Sequence, residues 1–168
     1  MEMSTIKHHF HIQKDSLKFA SAHMTVFPDG QKEALHGHNY TTRVSLELSS
    51  IALKDTIAFS VVKKMMREIC QQWDEKVLLP ALCPFFRILK RDQQEVEFIL
   101  CQKRYVLPAD ETVFLDLDNI TSESLAGEFS RRLILGLNGL PEFSVVESVS
   151  VVIEESPGQG GTCVWRRH

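Results

Sequence analysis

The sequence predicts an α+β fold, an antiparallel β-sheet with two helices covering one face. Three observations carry this. From Tyr40 onward the residues alternate, with Tyr40, Thr42, Val44, Leu46 and Leu48 on one side and Thr41, Arg43, Ser45, Glu47 and Ser49 on the other. That is the period of a half-buried strand. Two later stretches repeat apolar residues at three and four, the spacing of amphipathic helices. Finally, the order strands, helix, hairpin, helix, strand is that of helices segregated to one face of an antiparallel sheet.

Taken in order, residues 5–23 read as a strand hairpin, Ile6 to Ile12 and Leu17 to His23, around a polar turn at Lys14-Asp15-Ser16. His8, His9 and His11 lie in its first arm and read as exposed strand residues rather than a second histidine cluster. Residues 24–35 form a loop with the turn signal Pro28-Asp29-Gly30, and the long strand from His36 to Ser49 follows. After a break near Lys54-Asp55, the stripe Phe59, Val62, Met66, Ile69 and Trp73 marks a helix, with Met66 and Trp73 as core. Residues 81–94 are poorly patterned, and Arg87, Lys90, Arg91 and Asp92 predict an exposed loop. Glu95 to Leu100 and Lys103 to Leu107 read as a hairpin stopped by Pro108, and Val113 to Leu117 as a short strand. A second helix starts around Thr121-Ser122-Glu123, with hydroxyl caps and an acid in its first turn. Its stripe is Leu125, Phe129, Leu133 and Leu137, and Asn138-Gly139 ends it. The last strand spans Val145 to Glu154, with Val145, Val149, Val151 and Ile153 on one face and Glu155 next on that face.

A length of 168 residues with 43% hydrophobic and 24% charged residues fits one soluble globular domain over 1–168. Within it, 81–116 is set apart as a loop and hairpin insertion. A net charge of -3 without a basic stripe argues against nucleic acid as the main partner. No apolar run approaches the ~20 residues of a membrane helix, and the N-terminus is not of the secretory type, so a cytoplasmic protein is expected. Cys70, Cys83, Cys101 and Cys163 form no Cys-x-x-Cys pair and read as reduced thiols.

The chemistry concentrates at His36-Gly37-His38-Asn39-Tyr40. Extending the strand backwards places His36 and His38 on the face of Tyr40 and Val44, their side chains starting roughly 6.5–7 Å apart. Two imidazoles at that spacing can share an ion. Gly37 leaves room for a neighbouring segment to approach, and His23, at the end of Phe19-Ala20-Ser21-Ala22-His23, is the candidate third ligand. Three imidazoles without a fourth protein ligand leave a coordination position open, as in catalytic zinc sites. An isolated His-x-His on a strand is equally a packing pair; His23 tips the balance.

Phe19-Ala20-Ser21-Ala22-His23 and Leu35-His36-Gly37-His38-Asn39-Tyr40 resemble the 6-pyruvoyl-tetrahydropterin synthase and 6-carboxytetrahydropterin synthase family. The likeness continues through Trp73-Asp74-Glu75-Lys76-Val77-Leu78, the run from Asn119 to Ala126, and Glu154-Glu155-Ser156-Pro157-Gly158, in the family's order. The resemblance implies the tunnelling fold, in which trimers close their sheets into a barrel and two trimers stack into a homohexamer. It implies Zn2+ on His23, His36 and His38, a pterin held by Glu155 with a further contact at Thr121, and 7,8-dihydroneopterin triphosphate as substrate. The chain departs from the family where a cysteine precedes His-Gly-His and an Asp-His dyad follows the first helix. The loop before His36 has no cysteine, and Glu75 follows Asp74 where the dyad histidine would stand. Glu33 matches the spacing of a glutamate in a folate-linked branch that cleaves the same substrate to 6-hydroxymethyl-7,8-dihydropterin. The candidate catalytic residues are therefore Glu33, Asp74 and Glu75, the last two as a carboxylate pair. A paralogue that binds zinc and pterin without turnover is the alternative.

Overall fold

Two alternating runs of opposite parity meet in one strand. The computed structural model describes residues 7–168, so Ile6 of the expected first arm lies outside the described residues. Strand β1 runs unbroken from His8 to His23 and pairs antiparallel along its length with β2, His36–Leu48. The expected hairpin turn at Lys14-Asp15-Ser16 is instead a wide bulge. Between Gln13 and Lys18 the chain takes five steps while β2 takes two, from Arg43 to Thr41. Phe10 and Ile12 are even-numbered and Leu17 and Phe19 odd, yet all four are buried. An odd number of extra residues switches the phase of a period-two strand, so both halves face the core. A turn and such a bulge share the same polar residues, which is why sequence alone does not separate them. Thr42, buried opposite the bulge, donates its hydroxyl to the Leu17 carbonyl at 2.8 Å.

The six-stranded sheet has the order β7-β3-β1-β2-β8-β9. Here β3 is Lys76–Pro80, β7 Thr112–Leu115, β8 Val146–Ser156 and β9 Gln159–Arg166. The pairs β1–β2 and β2–β8 are antiparallel as expected, and so is β8–β9, whereas β3 joins β1, and β7 joins β3, in parallel. Helices α1 (Phe59–Trp73) and α2 (Ser122–Leu137) pack on one face of this sheet. Both stripes are buried except Phe59, which is half exposed and stacks on Phe10. The core between the layers is centred on Phe19, Tyr40, Trp73 and Phe129. Among the described residues no helix is long and apolar enough to cross a membrane.

Three local expectations are corrected. Residues 86–91 of the expected loop form β4 (Phe86–Arg91), which with β5 (Glu95–Leu100) and β6 (Lys103–Pro108) makes a separate three-stranded sheet. All but the first residue of β4 are exposed, so no burial pattern marks it; backbone pairing with β5 alone defines it. Strand β9 was not expected, because this edge strand opens on Gly160-Gly161 and buries only Gly161. In β8 an irregularity opposite Glu47 and Leu48 puts Val146, not Val145, on the core face.

The core face of β2 sets a testable contrast. Leu46 is fully buried, whereas Leu53, in a short helical turn after β2, is 93% exposed. Leu46→Ala is expected to lower unfolding free energy by about 2–5 kcal/mol, and Leu53→Ala by less than about 0.5 kcal/mol. Urea unfolding of the two variants checks this.

Candidate metal and substrate site

The β1–β2 register sets His23 directly opposite His36 and Ser21 opposite His38. All three histidines project from the sheet face that carries Tyr40. Ring centroids are 4.6 Å apart for His23–His36, 4.8 Å for His36–His38 and 5.3 Å for His23–His38. One donor atom from each lies within 4.8 Å of the others. Gly37 allows this approach of the strands, since a Cβ there would stand 3.2 Å from the Ser21 carbonyl.

Hydrogen bonds prepare two of the rings as ligands. His23 Nδ1 lies 2.8 Å from the Ile120 carbonyl, and His36 Nδ1 lies 2.8 Å from the Ala34 carbonyl. A carbonyl only accepts, so each Nδ1 carries the proton and each Nε2 keeps a free lone pair. His23 Nε2 is buried and has no protein partner. Burial, helped by the neighbouring His36 and His38 and opposed by the Ile120 bond, holds His23 below its ordinary value of 6.5. A neutral ring with an orphaned inward lone pair is what a metal ligand requires, so the three imidazoles fit a metal ion.

Further elements lock this geometry. Asn119 accepts from the Val26 and Ile120 amides at 2.9 and 3.0 Å and donates to the Val26 carbonyl at 2.8 Å. It thereby holds the carbonyl that orients His23. The C-terminus of α1 is pinned to β1 just before His23. Ser21 donates its hydroxyl to the Trp73 carbonyl, and the Ala20 amide donates to Asp74 at 2.7 Å.

Carboxylates flank the triad on two sides. Glu155 Oε2 lies 3.8 Å from His38 Nε2. Ser122 donates to Oε2 at 3.2 Å, and Gln159 donates to Oε1 at 2.6 Å. Glu33 Oε2 lies 3.9 Å from His36 Nε2. The Thr25 hydroxyl above all, aided by His36 and His23, holds the Glu33 carboxyl below its usual range against the opposing effect of burial. Its backbone amide is fixed on the Thr25 carbonyl at 2.9 Å.

Of the residues singled out in the sequence, His23, His36, His38, Glu33 and Glu155 are brought together. Asp74 and Glu75 do not join them within one chain. Asp74 is engaged by the Ala20 amide, and Glu75, in left-handed backbone at φ 57°, lines a depression beside Ala20, Ala22, Gly37 and Asn39. Alternation directs the side chains of Ala20, Ala22 and Asn39 away from the imidazoles. Thr121 caps α2, its hydroxyl accepting from the Ser124 amide at 3.2 Å; its neighbour Ser122 touches Glu155 instead. Thr25, Ser122 and Gln159 were not singled out in the sequence, and only the α2 cap pattern hinted at Ser122. Burial pushes the Cys70 thiol up to about 11, so it is no substitute for the missing cysteine.

The depressed value of His23 has a consequence for the metal-free protein. Below about pH 6.5 the unfolded chain binds a proton at this position that the folded chain refuses. Stability therefore falls as the pH drops below 6.5, until the folded-state value is reached. Urea midpoints at neutral and mildly acid pH should fall more for wild type than for His23→Asn; parallel losses would contradict the assignment.

Known proteins resemble this chain along most of its length. The family model described as 6-pyruvoyl tetrahydropterin synthase matches residues 11–164. A Methanocaldococcus jannaschii protein provisionally named a 6-carboxy-5,6,7,8-tetrahydropterin synthase is 32% identical over 145 residues, covering 86% of this chain and 87% of that one. The crystal structure of 6-pyruvoyl tetrahydropterin synthase from Plasmodium vivax shares the fold with a TM-score of 0.87 at 23% identity, covering 97% of this chain and 100% of that one. A variant of the P. vivax enzyme, with a catalytic glutamate replaced by alanine, has a TM-score of 0.86 at 23% identity over 97% of this chain and 100% of that one. With the family model spanning nearly the whole chain, this protein belongs to the 6-pyruvoyl tetrahydropterin synthase family.

Proposed function

We propose that the chain is a zinc-dependent lyase acting on 7,8-dihydroneopterin triphosphate, with Glu33 as the proton-accepting base and 6-hydroxymethyl-7,8-dihydropterin as product. The observation that carries this reading is the placement of Glu33 beside His36, in a loop that contains no cysteine. The P. vivax enzyme in which a glutamate is catalytic supports it.

His23, His36 and His38 would hold the zinc ion, which when bound supplies Lewis-acid polarisation of the substrate's side-chain oxygens. Glu155 would take the pterin, its carboxylate suited to a planar pair of N–H donors. Ser122 and Gln159 already restrict that carboxylate's rotation. Glu33, kept ionised by its surroundings, would accept the proton of the hydroxyl on the carbon beyond the breaking carbon–carbon bond. That carbon would leave as a phosphorylated aldehyde, and the electron pair of the broken bond would pass to the pterin-bearing carbon, which takes up a proton. Asp74 and Glu75 would enter a site only from a neighbouring subunit, in the homohexamer expected of a sheet whose outer strands β7 and β9 leave open edges. A single domain over 1–168 and a cytoplasmic setting complete the reading. The M. jannaschii relative favours a second product, a 6-carboxytetrahydropterin.

Two outcomes test the reading. Wild-type protein should carry about one zinc per subunit, lost in His38→Ala, as measured by atomic emission after gel filtration. Glu33→Gln should keep its zinc and lose about 10²–10⁴-fold in turnover. Chromatography of the oxidised pterins names the product. Zinc-loaded wild type that leaves the substrate unchanged would remove the lyase reading in favour of a binding protein.

A further inference from the structure

The row of groups from Glu155 through the imidazoles to Glu33 continues into a second space. Glu33 also lines a cavity of about 590 Å³ between its own loop and the β5–β6 turn, one that the imidazoles do not line. This volume is in the range of small-molecule sites.

The cavity wall is firmly built. The β5–β6 turn puts Cys101 and Gln102 in left-handed backbone, at φ 49° and 64°. This is the primed two-residue hairpin, made here without glycine and so dependent on surrounding support. That support comes from the Cys101 amide, which donates to the Phe85 carbonyl at 3.1 Å. The turn thereby sets Lys103, the first residue of β6, at the rim.

The charges of the cavity are unevenly engaged. Asp29 faces its own loop, accepting from the Gln31 amide at 2.9 Å. The Glu33 carboxylate faces His36. Lys32 is half-buried; its ammonium donates to the Glu33 carbonyl at 2.9 Å and to Met24 Sδ at 3.3 Å, and lies 5.0 Å from the Tyr105 ring centre. A carbonyl, a thioether and a ring face orient this cation without neutralising it, and one of its three N–H donors has no partner among the described residues. Lys103 likewise has no carboxylate partner among them.

We propose that this cavity receives the phosphate chain of the substrate, with Lys32 and Lys103 as its cationic contacts. The inference rests on the pterin reading above. With the ring at Glu155 and the side chain over the imidazoles, the far end of an extended ligand passes Glu33 and enters the space between the two lysines. Compact ammonium charges suit a flexible oligophosphate, which offers anionic oxygens in many directions. The segment carrying Lys103 belongs to the 81–116 stretch, so that insertion acquires a role in selecting phosphorylated over free pterins.

The test compares 7,8-dihydroneopterin triphosphate with unphosphorylated 7,8-dihydroneopterin on the zinc-loaded full chain, by pterin fluorescence titration. Wild type should bind the triphosphate about tenfold or more tightly than the free pterin, an advantage that shrinks as ionic strength rises. Lys103→Glu should weaken triphosphate binding by about tenfold or more and leave the free pterin's affinity unchanged, which also shows that the variant is folded. Lys32→Gln should move in the same direction. Equal affinity of wild type for the two pterins, or an unmoved triphosphate affinity in Lys103→Glu, overturns the subsite and leaves the pterin reading intact. Failure to bind either pterin overturns both.

Discussion

The pairing of β1 with β2 is the constraint on which the site depends. It is the longest ladder in the sheet, and its last rungs place His23 across from His36 with Gly37 against Ala22. Slippage by one residue would turn one set of imidazoles to the other face. The same ladder buries Phe19 against Tyr40 directly beneath the histidines, so the packing that stabilises the sheet also fixes the floor of the site. The convergence of the three imidazoles and the stability of the sheet are therefore two readings of one register.

Around that ladder the electrostatics are graded from inside to outside. The innermost ring, His23, is driven toward neutrality by burial and has its tautomer set by a backbone carbonyl. The outer flanks carry carboxylates in different settings. Glu155 is held by two side-chain donors, whereas Glu33 sits on a more exposed loop with its amide fixed and its carboxylate beside His36. The two carboxylates thus differ in setting, Glu155 between Ser122 and Gln159 and Glu33 beside Thr25 and His36.

Much of this was legible before any coordinates. Strict alternation identified β2 and the common face of His36 and His38, because a strand with one buried face leaves a strong mark on its sequence. Both helices were equally plain from their stripes. What stayed hidden were β4, whose residues after the first are exposed on both faces, and β9, an edge strand whose covered face is only Gly161 and the half-buried Cys163 and Trp165. The partnership of Glu155 with Ser122 and Gln159 was also hidden, since it arises where β8, β9 and the start of α2 converge, and no local period encodes a three-way meeting. There Gly161 permits close packing, as a Cβ on it would collide with the backbone of Ser122 and Glu123. Asp74 shows the converse. Its chemistry drew attention in the sequence, but its bond to the Ala20 amide, which fastens α1 to β1, left no mark there.

The wide bulge in β1 gives chain length a meaning that residue identity alone does not have. Ile12 and His23 can both look inward only because an odd surplus separates them from even pacing along β2. Removing or adding a single residue among Lys14, Asp15 and Ser16 would leave every ligand's name unchanged and still aim His23 outward. Changes by two would restore the aim. Related chains should therefore vary in this stretch by even counts, an arithmetic imprint of three imidazoles that must share one side.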